Sequence, residues 1–216
     1  MSARDHVLGN IRARLGRNAD DRYAVDERLA SHPCGPLPAR GEGSAPELRA
    51  RFVEMARESS ADVETLSGLD ELPGLVAGLC SAHGFDAAAA IAPDPALEAL
   101  GWADADVAVE ARRGEPGDRL CVGHAECGVA ETGTLVLASG PQSPITLSFL
   151  PDVHVVAIPA DAIVGTYEQA WARGRARGDM PRAINWISGP SRSADIEQTL
   201  QLGAHGPVRL VIALYG

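Results

Sequence analysis

The sequence predicts an α/β domain of three layers, with helices on both faces of a mostly parallel sheet. The first observation is that several short runs, such as residues 134–138 and 210–214, are apolar throughout, which is typical of strands buried on both faces. The second is that these runs alternate with amphipathic helical patterns from about Ala61 onward. The third is a composition of 45% hydrophobic and only 4% aromatic residues over 216 positions, which suits one compact domain with an aliphatic core.

The chain begins with a predicted amphipathic helix, because Val7, Leu8, Ile11 and Leu15 recur at helical spacing. Residues 31–46 follow with four prolines and no apolar period, so we interpret them as an extended connection. The predicted boundary therefore separates residues 1–46, an N-terminal helix and a Pro-rich connection, from an α/β/α domain at 47–216.

Within that domain, strands are predicted where short apolar or alternating runs lie between turn residues: 61–66, 87–92, 105–110 (a strand or an irregular edge), 120–123, 134–138, 153–158, 183–187 and 210–214. Helices are predicted where apolar residues recur at helical spacing: from Pro46, then 69–83, 95–100, 162–176 and 194–203. In the helix at 162–176, Ile163, Tyr167, Ala170 and Trp171 form the apolar face. Residues 124–130 are predicted to form a brief helical turn. In such folds ligands bind beyond the carboxyl ends of the strands, where we expect the stretch at 187–197 to lie.

The charge balance limits the partners of the chain. Its formal net charge is -10 and no dense run of Lys or Arg occurs, which argues against binding to nucleic acid or to anionic membranes. The first ten residues lack the apolar run of a signal peptide, and no segment approaches the length of a membrane span. We therefore expect a cytoplasmic protein with no membrane partner.

The cysteines do not predict a metal site. Cys34, Cys80, Cys121 and Cys127 include no Cys-x-x-Cys pair, so we expect free thiols and neither a zinc ribbon nor an iron–sulfur cluster in this chain. The sequence also lacks Gly-x-Gly-x-x-Gly and Walker-type loops, which argues against nucleotide binding by those modes.

The stretch from Ile187 to Glu197 is predicted to cross from a strand into a helix. Several of its residues supply hydroxyls, a cation and backbone N–H groups suited to a small anion: Ser188, Gly189, Ser191, Arg192 and Ser193. The alternative is a well-capped helix in which Arg192 pairs with Asp195 or a neighbour.

A second candidate site is the turn Glu131-Thr132-Gly133-Thr134, which leads directly into a buried strand. A carboxylate held there can act as a base, a nucleophile or an acceptor for a substrate hydroxyl, and the glycine allows a ligand or another backbone to approach. The alternative is that Glu131 caps local N–H groups or pairs with Arg192.

Two histidines complete the candidates. His205 lies in a glycine-flanked turn and can work in acid–base chemistry or hold a ligand, although a histidine there can equally fix the bend by bonding to the backbone. His154 lies within a predicted strand and is expected to be core or partly buried. We therefore name Glu131 and His205 as candidate catalytic residues.

Four segments together resemble the lactate-utilisation proteins of the C type, also called the LUD domain family: residues 130–137, 150–156, 187–197 and 203–207. As a set, and in this order, the segments are specific to that family. The chain departs from the family pattern at Glu126, where Asp is expected, and at Ser193, where Thr is usual; both changes keep the chemistry.

The resemblance implies a fold like that of ribose-5-phosphate isomerase and class I coenzyme A transferases. It also implies a role in oxidising L-lactate to pyruvate together with two partner proteins that carry the iron–sulfur clusters. This chain would then contribute assembly or the binding of a small anionic substrate, without a cofactor of its own.

The implied fold leaves other functions open. Coenzyme A transferases of this architecture use a Glu at a turn followed by Gly, and Glu131-Thr132-Gly133 looks similar, so Glu131 could form an acyl thioester intermediate or act on a small phosphorylated metabolite. A pure interaction subunit is the third alternative.

Overall fold

The computed structural model describes residues 2–16, 20–194, 200–203 and 205–216, which form two compact units, Met1–Pro36 and Leu37–Gly216. The first unit contains helices α1 (Ala3–Leu15) and α2 (Asp20–Ser31). Helix α1 begins at a capping box between Ser2 and Asp5 and ends at Gly16 in the left-handed conformation. The predicted first helix is thus confirmed.

The second unit contains four helices and twelve strands among its described residues. In chain order these are α3 (Ala45–Glu58), β1 (Asp62–Leu66), α4 (Leu72–His83), β2 (Ala88–Ile91), α5 (Pro95–Glu98), β3 (Ala108–Ala111), β4 (Leu120–His124), β5 (Cys127–Val129), β6 (Thr134–Ala138), β7 (Val153–Pro159), β8 (Ile163–Val164), α6 (Tyr167–Ala176), β9 (Ile184–Ile187), β10 (Arg192–Ala194), β11 (Leu200–Leu202) and β12 (Arg209–Tyr215).

Six strands form the central sheet in the order β1-β12-β7-β4-β2-β3, and every neighbouring pair is parallel. The inner strands β12, β7, β4 and β2 are largely apolar because both of their faces are covered, whereas the edge strands β1 and β3 carry exposed polar residues. In β7, Val155 and Ala157 face a core that includes helix α4, whereas Val156 and Ile158 face a core that includes α3 and β6. The predicted α/β fold with a mostly parallel sheet and flanking helices is confirmed.

A second sheet, not predicted from the sequence, has the order β8-β5-β6-β9 and mixes parallel and antiparallel pairs. Leu135 and Leu137 of β6 join the core beneath the central sheet. On its other face, Val129 and Val136 pack with Ala170 of α6. The second sheet therefore lies between the central sheet and α6, and it carries the candidate site.

Two predicted elements are wrong, and a third begins later than expected. Residues 124–130 were expected to be helical, but they contain β5, which fits closely because the bare backbone of Gly128 faces the Phe52 ring. The helix expected from Ala162 begins only at Tyr167, where the Thr166 hydroxyl caps it. The helix expected at 194–203 is instead an antiparallel pairing of β10 with β11. Residues 195–199 of that prediction lie outside the described residues.

Candidate functional site

Glu131 follows β5 and is held at the start of helix α6. Its backbone N–H donates to the Gly165 carbonyl at 3.1 Å, and its Oε1 accepts from the Tyr167 N–H at 3.4 Å. The positive end of the helix dipole favours a carboxylate at this position. The residue is only 4% exposed, and its Oε2 lies 3.7 Å from Arg40 Nε. Glu131 thus pairs with Arg40 in this structure.

Gly133 allows the turn after Glu131 to pack closely on helix α3. Its φ is +63°, and a Cβ there would overlap the backbone of Met55 and Ala56. The next residue, Thr134, starts β6 with 0% exposure. The glycine therefore fixes both the Glu131 carboxylate and the Thr134 hydroxyl against the second sheet.

Four hydroxyl groups meet beside Glu131, and we call them the hydroxyl cluster: Thr132, Thr134, Tyr167 and Ser188. Thr134 Oγ1 lies 2.8 Å from Thr132 Oγ1, 2.9 Å from the Tyr167 hydroxyl and 2.6 Å from Ser188 Oγ. Thr132 Oγ1 donates to the Tyr167 hydroxyl at 3.1 Å. A hydroxyl donates once and accepts at most twice, so Thr134 is saturated.

Counting protons fixes the direction of these bonds. Four contacts need four protons, and each of the four hydroxyls owns one. All contacts are satisfied only if Ser188 donates inward to Thr134. Because Ser188 is itself exposed, it then presents only acceptor lone pairs outward. Tyr167 was treated in the sequence analysis as an apolar-face residue, and only the fold places its hydroxyl here.

Ser188 also lines a cavity of about 220 Å³, which we call the His154 cavity. Its walls mix aromatic and polar groups, among them Phe149, His154, Trp186, Ser191 and His205. The Ser191 N–H donates to the Pro207 carbonyl at 2.9 Å, which ties the stretch after β9 to the segment before β12. Ser188 thus connects the hydroxyl cluster with the His154 cavity.

His154 lies on β7 and is 0% exposed. Among the described residues, no group hydrogen-bonds to either of its ring nitrogens. Burial lowers the pKa of His154 to about 3, because a charged imidazole loses its hydration there. The ring is therefore neutral, with one N–H donor and one acceptor nitrogen.

The candidate site residues do not all lie in one place in the structure. Ser188, Gly189, Ser191 and His205 line the His154 cavity, whereas Arg192 lines a different cleft of about 680 Å³ beside Asp152 and Arg209. Glu131, Thr132, Gly133 and Thr134 form the adjoining turn. The side chain of Ser193, and the residues Asp195 and Glu197 expected in a helical first turn, lie outside what the structure describes.

The stretch after β9 was expected at the carboxyl ends of the central strands, and that expectation is wrong. The His154 cavity adjoins Leu210 and Pro207, at the start of β12, and His154 itself is the second residue of β7. The cavity is therefore at the amino ends of the central strands, because β9 belongs to the second sheet and not to the central one.

The carboxyl ends carry a constellation that the sequence analysis missed. His124 Nδ1 lies 2.9 Å from Asp94 Oδ2, and its Nε2 lies 2.9 Å from the Tyr215 hydroxyl. These residues end or follow β4, β2 and β12, beside a cleft of about 450 Å³. Strands β2 and β4 are neighbours in the central sheet. From β2 the chain continues to β3 on one side of this pair, and from β4 it continues towards β7 on the other. A ligand crevice usually lies where neighbouring strands lead in opposite directions. No local motif joins positions so distant in sequence.

Two further classes of site were sought among the described residues. No group of three or more His, Cys, Asp or Glu side chains there is arranged to hold a metal ion. Within the same ranges, no helix combines the length and the apolar character needed to cross a bilayer.

The fold and this site define a class: α/β proteins in which a parallel sheet carries a second sheet, with a buried carboxylate and a hydroxyl cluster at its end. Residues 49–215 match the family model of the LUD domain. The chain belongs to the LUD domain family.

Its relatives include a lactate utilization protein C from Anoxybacillus flavithermus, 34% identical over 213 residues, with 94% of each chain covered. A lactate utilization protein C from Bacillus licheniformis is 42% identical over 88 residues, which cover 39% of this chain and 37% of that protein. An uncharacterized protein from Neisseria meningitidis is 44% identical over 89 residues, 41% of this chain and 38% of that protein. Only the first of these three matches extends over most of both chains.

A solved structure supports the architecture. The crystal structure of a DUF162 family protein from Deinococcus radiodurans superposes with a TM-score of 0.60 at 22% identity, covering 81% of this chain and 100% of that chain. At this identity the likeness concerns the fold alone.

Proposed function

We propose that this chain is the cluster-free subunit of a multi-protein system that oxidises L-lactate to pyruvate. Two iron–sulfur partner proteins would carry the electrons, and this chain would bind a small anionic substrate or assemble the complex. The observation that carries the proposal is the match over 94% of both chains to a lactate utilization protein C.

The geometry around Glu131 supports a binding role. The carboxylate is buried, it is held by the start of α6, and it adjoins a hydroxyl cluster whose outer member, Ser188, opens into the His154 cavity. Such a constellation of a charged group and aligned hydroxyls can orient a small polar molecule. The cysteine spacing offers no cluster site in this chain, so electron transfer is assigned to the partners.

Reconstitution tests the proposal. The two iron–sulfur proteins of the lactate-oxidising system are combined anaerobically with and without this chain, and L-lactate-dependent reduction of an artificial electron acceptor is followed. We expect reduction only when the chain is present. Equal rates with and without the chain would contradict the proposal.

Substitution separates binding from assembly. Glu131→Gln keeps the shape of the side chain but removes its charge, and we expect it to lower the reduction rate at least tenfold while the complex still forms. Glu54→Gln on the exposed face of α3 is the matched control and should keep the parent rate. A Glu131→Gln protein with the parent rate would reduce the chain to an assembly role.

Acyl transfer is a second candidate, and one observation favours it. Among the described residues, no donor hydrogen-bonds to Glu131 Oε2, which lies buried 3.7 Å from Arg40 Nε; attack on a thioester would require this oxygen to become exposed. In that case Glu131 would displace the coenzyme A thiolate from acetyl-coenzyme A to form a mixed anhydride, and the thiolate would then displace acetate to leave a glutamyl-coenzyme A thioester at Glu131. Mass spectrometry after borohydride or hydroxylamine trapping would detect it, and an unmodified peptide would exclude this candidate.

A further inference from the structure

We infer that the His154 cavity binds a short-chain 2-hydroxycarboxylate, with the ligand hydroxyl directed at His154 and Ser188 and its carboxylate at the rim beside Ser191 and His205. The choice of this substrate class rests in part on the proposed function. The inference adds the site, the groups that recognise the ligand, and the claim that this chain itself holds the substrate.

The first argument is the free-energy cost of burying the His154 ring without hydrogen bonds. A buried polar group with no hydrogen bond is costly to the folded protein, and buried groups in native structures nearly always have a partner. His154 has two such nitrogens, and the ring, although fully buried, is one of the residues that line the cavity. A ligand in that cavity would supply the partner that the described residues do not.

The second argument is the kind of partner. A neutral imidazole donates through one nitrogen and accepts through the other. Ser188 adds an acceptor, because its own proton is used inward on Thr134. The part of the cavity formed by His154 and Ser188 therefore needs a ligand group that both donates and accepts, and a hydroxyl meets that need. A ketone oxygen or an alkyl carbon does not.

The third argument concerns the charge. A carboxylate is costly to bury without paired donors, so the charged end must remain near water. His205 is exposed and Ser191 is half-buried, and both lie on the cavity wall. These side chains can donate to a carboxylate at the rim, while Phe149 and Trp186 offer apolar surface to a short alkyl group.

The fourth argument is size. The cavity of about 220 Å³ corresponds to roughly seven water molecules at about 30 Å³ each. That space accepts a short hydroxy acid, and it is too small to enclose a nucleotide or coenzyme A. The volume therefore fits the substrate class that the polar groups select.

The direct test is calorimetry on the full chain with sodium L-lactate, sodium pyruvate and sodium propionate as probes. These acids share a carboxylate and a short alkyl group and differ at the second carbon. We expect L-lactate to bind about tenfold more tightly than propionate or pyruvate, the usual effect of one buried hydrogen bond gained or lost. Equal affinities for the three acids, or no binding of L-lactate, would overturn the inference.

Substitution locates the binding. His154→Leu fills a similar volume without polar atoms and should weaken L-lactate binding at least tenfold, while His6→Gln, on exposed α1, should bind as the parent does. If His154→Leu does not fold, nitrogen-15 NMR of the parent answers the same question. The ring nitrogens of His154 should then shift on addition of L-lactate and stay unshifted with propionate; ring shifts that are the same for both acids would refute the site.

The two proposals fail separately. If reconstituted lactate oxidation requires the chain but the isolated chain does not bind L-lactate, the inference is wrong and the proposed function stands. If the isolated chain binds L-lactate at His154 but reconstituted oxidation is indifferent to the chain, the reverse holds.

Discussion

The hydroxyl cluster makes a quantitative prediction for Thr134→Val, which replaces a hydroxyl by a methyl group of nearly the same size. Thr134 is 0% exposed and takes part in three hydrogen bonds, all within the cluster. At about 0.5–1.5 kcal/mol each, three bonds give an upper bound of about 4.5 kcal/mol. Water can replace Thr134 at the exposed Ser188, and Thr132 keeps its bond to Tyr167, so we expect a loss of about 2 kcal/mol.

The assay is urea unfolding of Thr134→Val, Tyr167→Phe and the double variant, with the slope of the unfolding free energy against urea checked for constancy. The two side chains are bonded at 2.9 Å, so their effects should be non-additive by about 1 kcal/mol. Thr65→Val is the control, because Thr65 is an exposed threonine on an edge strand. If Thr134→Val costs no more than Thr65→Val and the cycle is additive, the cluster does not exist as described.

The same substitution has a functional consequence. Without Thr134 Oγ1, the Ser188 proton loses its inward acceptor and becomes available to the His154 cavity. A ketone oxygen of the ligand can then accept a hydrogen bond from Ser188, so a ligand hydroxyl is no longer required there. We therefore expect Thr134→Val to reduce the preference for L-lactate over pyruvate in calorimetry, and an unchanged preference would show that Ser188 does not read the ligand hydroxyl.

Three further predictions concern single positions. The pKa of His154 falls from 6.5 to about 3 on folding, so only the unfolded chain gains this proton between those values. Below pH 6.5 stability should therefore fall with a slope that approaches about 1.4 kcal/mol per pH unit, and urea midpoints of His154→Gln should lack that component. Gly189→Ala should lower the melting temperature by at least several degrees, since φ is +75° and a Cβ would overlap the Ser59 carbonyl. Iodoacetamide should modify exposed Cys34 in the native protein and spare Cys121, where burial raises the thiol pKa to about 12, as peptide mapping would reveal.

The central sheet was predictable because burial on both faces leaves a local trace. The run at 153–158 contains only apolar residues apart from His154, and such a run has few alternatives to a buried strand. Two strands of the second sheet leave no such trace. Strand β5 has three residues and β8 has two, and their pairing joins Gly128 to Ile163 across a long stretch of chain. Short strands formed by long-range contacts have too few residues to show a period.

The candidate site was predictable in the same uneven way. The turn from Glu131 to Thr134 was identified because its chemistry is contiguous in sequence, and its Gly133 marks a close approach of backbones. Tyr167 was assigned to an apolar helix face, which its ring does occupy, and its hydroxyl could not be placed without the fold. The 194–203 segment was predicted to be a helix, but β10 and β11 pair there, and local helix propensity does not register the contact between the two strands.

Two histidines on neighbouring strands of the central sheet differ in the hydrogen bonds of their ring nitrogens. His124, at the carboxyl end of β4, has both ring nitrogens occupied, by Asp94 and Tyr215, and so joins three strand ends. His154, near the amino end of β7, has neither nitrogen bonded within the described residues. Gly123 leaves space for it, since a Cβ there would lie 3.2 Å from His154 Nε2. A satisfied imidazole stabilises a fold, whereas an unsatisfied one beside a cavity is available to a ligand, and the amino end of this sheet is therefore where substrate binding should be sought first.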